Sequence, residues 1–391
     1  MLAVVGGTYK EQCVDPFFDE LWGSALRGAA ALANFVSPIQ LFSCIGETDL
    51  SSAEGQCSIF NITSNYTLLE NTVSFNYFHP LTRPTIDFLP DDDINLPDVT
   101  ADNILMYGQV EGRVKVKGKY VVYDPQSWIS FTDTKSEADH LALVLNRNEA
   151  LLLSEMSIHD DLVDVGKCLC KKEGAEVVVI KNSTKGALVI EAEEACVIPL
   201  YETDRVWPIG SGDIFSAVFA FKWAVQKLPA KTAALEASKY TAHYCQTKTL
   251  PLPAEPLSLN ELTPATSNKK VYLAGPFFTT AERWILEDIR SKLIEYGADV
   301  FSPLHDVGLF NDDPFIIAEK DLTGLIDSDV VFAIADGLDA GTLFEIGYAR
   351  ALNKKVVVLA QNVSKENLVM LVGSNCEVTD DLSTAVYKSI W

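Results

Sequence analysis

The chain has 391 residues, 48% hydrophobic and 22% charged, with a formal net charge of −23. That length can bury more than one core, and the acidic balance excludes nucleic acid or an anionic membrane as a partner, because there is no basic excess to release counterions. Eight scattered cysteines, with Cys168 and Cys170 at neither zinc nor redox spacing, and five dispersed histidines read as reduced core thiols and no metal site in a cytoplasmic protein.

In chain order, Met1 to Gly7 reads as a first strand and turn rather than a leader, since it lacks a basic start and no cleavage site follows. No apolar run approaches the ~18 residues of a membrane span. Gly23 to Leu32 opens an early helix. The strand Lys119 to Val122 ends at Tyr123-Asp124-Pro125-Gln126, and the strand Leu141 to Leu145 is followed by Asn146-Arg147-Asn148-Glu149. Val177 to Ala187 reads as strand, turn and second strand. Gly210-Ser211-Gly212-Asp213 then enters a helix over Ile214 to Gln226. A Gly-x-Gly turn at a helix start points backbone N–H groups outward and makes an anion site. Asp213 is placed there to take a proton from a hydroxyl attacking a phosphoryl group; the alternative is an aspartate that caps a helix after a flexible turn.

This set resembles the ribokinase-like (PfkB) sugar and nucleoside kinase family over residues 1–250. The resemblance implies an α/β domain with a small β-lid holding Asn76 to Pro80. It makes Gly210, Ser211 and Gly212 the anion hole and Asp213 the catalytic base. Asn146 and Glu149 belong to its Mg²⁺/phosphate motif, so ATP and Mg²⁺ are the cofactors it allows. Several positions depart from the pattern. Trp207-Pro208-Ile209 stands where Asp-Thr-x is usual, Tyr9-Lys10-Glu11 where a sugar-binding Asp is expected, Arg27 where an Asn is expected, and Asn182-Ser183 where a glycine is expected. The base and anion hole survive while the substrate-recognition positions do not. An unusual substrate, anionic in view of Arg27 and Lys10, or binding of a nucleotide without turnover is therefore expected.

Residues 251–268 read as a semi-stiff linker, because Thr249 to Asn268 carries four prolines and no periodic apolar face. A second domain is expected over 269–391. Lys270 to Phe278 is a short strand running into a tight turn, followed by a helix over Thr280 to Tyr296. Asp321 lies in a helix just before the next strand. The apolar run Val330 to Ala335 reads as a buried parallel strand, and Leu343, Ile346 and Gly347 continue from it at helical spacing. Glu345 lies about one turn into that helix, on the edge where open α/β sheets bind ligands. The functional reading is a nucleophile or acid/base; the alternative is a helix-start carboxylate favoured by the macrodipole.

Tyr-Leu-Ala-Gly-Pro-Phe-Phe, Asp-Leu-x-Gly and Asp-x-Gly-Thr-x-x-Glu-Ile-Gly-Tyr-Ala together are similar to the nucleoside 2-deoxyribosyltransferase family. That resemblance implies a flavodoxin-like parallel sheet, no cofactor and no metal. Glu345 becomes the nucleophile that traps an oxocarbenium-like sugar, held by Tyr272. Asp321 and Asp339 become the pair that binds and protonates the leaving base. Phe277 and Phe278 form an apolar wall, Gly341 lies in the substrate loop, and Asn367 reaches a neighbouring subunit, so a homo-oligomer is implied. The expected function is cleavage of a (deoxy)nucleoside's N-glycosidic bond by transfer or hydrolysis, with the kinase-like domain acting on or sensing a nucleoside or sugar. The alternatives are a nucleotide-gated sensor and a deoxynucleoside 5′-monophosphate N-hydrolase. The apolar Pro276-Phe277-Phe278 tilts the reading towards an unphosphorylated nucleoside, while Thr279, Thr280 and Arg283 leave room for a phosphate.

Overall fold

The structure, a computed structural model, describes residues 1–126, 129–262, 268–308 and 313–391. The chain divides into two units, Met1–Thr203 with Trp207–Thr263, and Asp204–Val206 with Pro264–Trp391.

The first unit is built on a nine-stranded sheet. Its spatial order is Glu194–Ile198, Ala187–Glu191, Val177–Lys181, Glu137–Asn146, Val116–Asp124, Val99–Tyr107, Leu2–Val5, Ile39–Gly46, Ile62–Leu69. Seven strands from Val177–Lys181 onward pair in parallel, and the hairpin at one edge is antiparallel. Strands such as Leu2–Val5 are buried throughout, as a parallel sheet covered on both faces requires. Alternate side chains serve the two faces. Leu2, Val4, Leu105 and Val122 pack with the helices Gly23–Ala31, Ser211–Ala220 and Ala230–Thr247, and Ala3, Val5, Ile104 and Val121 pack with Arg147–Ser154 and Leu162–Glu173. The small residues of Gly23–Ala31 permit close approach to the sheet, since a Cβ at Gly28 would lie 2.5 Å from the Tyr107 hydroxyl. A separate four-stranded sheet, in the order Phe18–Leu21, Lys10–Cys13, Ser74–Tyr77, Thr85–Asp87, forms the lid. This is a ribokinase-like α/β fold, and the lid holds Asn76 and Tyr77 as expected.

Residues 251–262 do not behave as the expected linker. Leu252 is fully buried in the first unit's core and its N–H donates to the Ala31 carbonyl, and Glu261–Leu262 pairs with Leu200–Tyr201. The prolines deny this segment helical structure, but its leucines still gain by burial. The stretch 263–267 lies outside the described residues.

The second unit has five parallel strands in the order Asp299–Phe301, Lys270–Ala274, Val330–Ile334, Lys355–Leu359, Glu377–Thr379. By sequence this order is 2-1-3-4-5, the flavodoxin-like arrangement, whose ligands bind at the carboxyl ends of the first and third strands. Between and after the strands come the helices Thr280–Glu295, Pro314–Asp327, Ala340–Ala351 and Leu382–Ile390. Among the described residues no helix is long and apolar enough to cross a membrane.

Candidate functional site

In the second unit, the first strand carries Tyr272 and the helix after the third carries Glu345. The Tyr272 hydroxyl donates to Glu345 Oε1 at 2.5 Å. Tyr272 is fully buried and its ring stacks on Phe301 at 5.5 Å, so the phenol is held from behind as well as at its tip. Burial pushes the Glu345 carboxyl up to about 7; the Tyr272 hydrogen bond opposes this, and the neighbouring charges of Asp321 and Asp339 add to it. Burial raises the Tyr272 phenol too, with the Glu345 charge second, so it remains a hydrogen-bond donor.

Asp321 comes from the helix Pro314–Asp327. Its carboxyl is raised by burial, and Oδ1 is a buried oxygen without a hydrogen-bond partner. Asp339 caps the helix Ala340–Ala351, with Oδ2 accepting from the Thr342 N–H at 2.8 Å and from its hydroxyl at 3.0 Å. Asp339 therefore has a structural role as a helix cap, alongside its electrostatic effect on Glu345. A Cβ at Gly341 would come within 3.1 Å of Asp339 Oδ2, so glycine keeps this oxygen uncrowded. Four expected residues, Tyr272, Asp321, Asp339 and Glu345, are thus brought together.

The other two features are peripheral. Phe277 and Phe278 stack on each other at 5.4 Å, and Phe278 is largely exposed. Asn367 is exposed in a turn, where its N–H donates to the Ser364 carbonyl. At the helix start that could take a phosphate, Glu282 Oε2 accepts from the N–H groups of Phe278 at 2.8 Å and Thr279 at 2.7 Å, the two residues just before the helix, and so places a carboxylate there. Arg283 Nε donates to the Phe277 carbonyl at 2.7 Å.

In the first unit, Gly210 has a φ of +78°, which glycine adopts without strain, and the helix Ser211–Ala220 starts directly after it. Asp213 is buried at that start. Both its oxygens are taken, Oδ2 by Arg27 Nη1 at 2.8 Å and Oδ1 by Gln126 Nε2 at 2.7 Å. The other arm of Arg27 pairs with Glu11. Arg27 is therefore not free for an anionic substrate, and Lys10 likewise pairs with Asp49 at 2.9 Å. Asn146 and Glu149 form a reciprocal cap, with Asn146 Oδ1 accepting from the Glu149 N–H and Glu149 Oε2 accepting from the Asn146 N–H. Lys181 Nζ lies 2.7 Å from Asp124 Oδ2, which also accepts from the Ser216 hydroxyl at 2.6 Å. Burial alone would push the Lys181 ammonium down, but Asp124 and then Glu149 hold it above its usual value.

Asp124 Oδ1 is a buried oxygen without a hydrogen-bond partner, and burial, with the Asp124 charge second, pushes the Glu149 carboxyl up to about 7. These carboxylates fit the Mg²⁺ that the first resemblance allowed, which needs only one or two of them beside water and phosphate. The pairing roles of Arg27 and Lys181 were not read from sequence. An arginine inside the Gly/Ala-rich run Gly23 to Leu32, and a lysine closing Val177-Val178-Val179-Ile180, are signals that such buried cations need carboxylate partners.

Comparison with known proteins bears on both halves. Residues 102–250 match the model of the pfkB family carbohydrate kinases, and residues 271–380 match that of Nucleoside 2-deoxyribosyltransferase. An uncharacterized protein of Ureaplasma parvum serovar 3 is 33% identical over 99 residues, which are 22% of this chain and 63% of that protein. Similar solved structures include a Methanocaldococcus jannaschii nucleoside kinase of the ribokinase family, at 16% identity and a TM-score of 0.47 over 64% of this chain and 94% of that one. Ribokinase from Thermotoga maritima is 15% identical, with a TM-score of 0.45 over 64% and 96%. A pyrophosphate-dependent kinase in the ribokinase family, solved with a pyrophosphate analog and myo-inositol, is 11% identical, with a TM-score of 0.45 over 65% and 97%. Two segments of the chain are thus similar to enzyme families, one to the pfkB family carbohydrate kinases and the other to Nucleoside 2-deoxyribosyltransferase.

Proposed function

We propose that the second unit cleaves the N-glycosidic bond of an unphosphorylated (deoxy)nucleoside through a covalent sugar on Glu345. The observation that carries this reading is the Tyr272–Glu345 hydrogen bond beside two further carboxylates. With Oε1 held by the phenol, Oε2 attacks the anomeric carbon as the bond to the base breaks. Asp321, which burial keeps protonated to a higher pH than an exposed aspartate, gives its proton to the departing base. The glycosyl-enzyme then passes its sugar to a second base or to water. Glu282, whose carboxylate stands at the helix start where it would repel a phosphate, supports a nucleoside over its 5′-monophosphate. Exposed Val369, Met370 and Val372 beside Asn367 support assembly with further copies of the chain.

The test is incubation with ribo- and deoxynucleosides and their 5′-monophosphates, with and without a second base, following free base by chromatography. Base release from nucleosides, lost in Glu345→Ala, is expected. Release from monophosphates alone would overturn the substrate assignment, and release that survives Glu345→Ala would overturn the nucleophile.

A further inference from the structure

His243 lies on the helix Ala230–Thr247 of the first unit and is only 7% exposed. Its Nδ1 accepts the Leu257 N–H at 3.2 Å, so the ring is neutral and carries its proton on Nε2. Nε2 is itself buried without a hydrogen-bond partner. Holding Leu257 therefore denies the imidazole N–H the water it would meet if the chain lifted away.

Leu257 stands in the middle of the stretch 251–262, which is strapped to this helix. The two ends of the strap are fixed by groups that do not titrate near neutral pH. On one side the Leu252 N–H donates to the Ala31 carbonyl, and the Tyr240 hydroxyl donates to the Ala254 carbonyl at 2.6 Å. On the other the Glu202 N–H donates to the Asn260 carbonyl, and Glu261–Leu262 pairs with Leu200–Tyr201. Between these anchors, Leu257 depends on an acceptor that a single proton destroys. A doubly protonated imidazole has two donors, and one of them would face the amide N–H.

Burial alone pushes the His243 imidazole below its ordinary value. The charged groups of the surrounding elements act on other residues: Glu236, Lys239 and Glu261 on Tyr201, Glu255 on Tyr240, Arg27 and Asp213 on Tyr244, and Glu191, Glu194 and Lys231 on Cys196. An imidazole released into water titrates at ~6.5. The released form takes up a proton that the held form refuses, so release becomes easier as pH falls below ~6.5, by at most about tenfold per pH unit.

We propose that His243 is a proton-operated latch: its neutral ring holds residues 255–259 on the helix, and protonation frees them while the anchors on either side stay closed. The freed stretch lies where the chain leads on towards the second unit. The latch stands on the first unit's residues and is independent of catalysis by Glu345.

The experiment is amide hydrogen exchange of the full chain between about pH 7.5 and 5.5, read by mass spectrometry and corrected for the intrinsic pH dependence of exchange. Peptides covering 255–259 should lose protection several-fold, up to about tenfold, while the helix Ala230–Thr247 keeps its own. In His243→Gln, whose side-chain oxygen can accept the same N–H at either pH, that loss should vanish. Protection that does not change with pH in the wild-type chain, a loss shared by the whole helix, or an equal loss in His243→Gln would each overturn the proposal. Should the variant not fold, the His243 ring signals of the wild-type chain decide. A titration midpoint below ~6.5 that tracks the loss at Leu257 supports the latch, and a midpoint above it overturns the latch.

Discussion

Glu345 is held in an environment that favours its neutral form, while attack on an anomeric carbon needs the carboxylate. The two demands give opposite pH dependences. The folded-state pKa of about 7 lies above the ~4.3 of an unfolded glutamate. Burial therefore costs nothing below about pH 4, where both states are protonated, and the cost grows as pH rises towards 7. Base release should instead rise through an acidic limb near pH 7 in kcat/KM. Glu345→Gln should abolish release and raise stability at pH 8 by about 1–3 kcal/mol, read by urea unfolding; a destabilised variant would contradict the account. Because the phenol's hydrogen bond lowers the Glu345 pKa, Tyr272→Phe should move the acidic limb to higher pH and reduce kcat. An unmoved limb would show that Tyr272 does not tune the carboxyl. Arg27 makes the matching case in the first unit. Arg27→Met leaves Glu11 and Asp213 as unpaired buried charges, so a loss of about 3–5 kcal/mol is expected in denaturant unfolding. A neutral result would mean that water reaches the pair.

Among the elements, the strand–turn–helix segments were the most legible. Four buried aliphatics, a glycine turn and helical spacing placed Val330–Ile334 and Ala340–Ala351, and with them Glu345 and Asp339, on the ligand edge of the sheet. The helix start at Thr280 was readable for the same local reason, but its cap was not: Thr279 with Glu282 forms a full capping box, whereas Asp213, offered as a helix cap, does not cap its helix. Thr279→Ala should cost about 1 kcal/mol and, by loosening Glu282, admit some activity on 5′-monophosphates; unchanged substrate preference would disconnect Glu282 from specificity. Pairings across the sequence were not legible. Nothing local to Arg27 names Glu11 and Asp213 as its partners, because the contact spans the separation between residues 27 and 213 and depends on strand order. The proline-rich stretch 251–262 misled for a similar reason: local chemistry excluded a helix, but only the tertiary fold shows Leu252 buried in the core.

At the scale of the whole chain, both units hold buried carboxyls in poised states. In the second, Asp321 retains an unpartnered buried oxygen and Glu345 a raised pKa, and in the first, Asp124 retains an unpartnered buried oxygen and Glu149 a raised pKa. The central claim is the covalent sugar on Glu345 proposed for the second unit. The most direct test of the central claim is rapid acid quench of the chain during turnover of a deoxynucleoside, followed by peptide mass mapping. The account predicts a deoxyribosyl adduct on the peptide holding Glu345, absent in Glu345→Gln. Turnover without an adduct on that peptide, or an adduct on another residue, would contradict it.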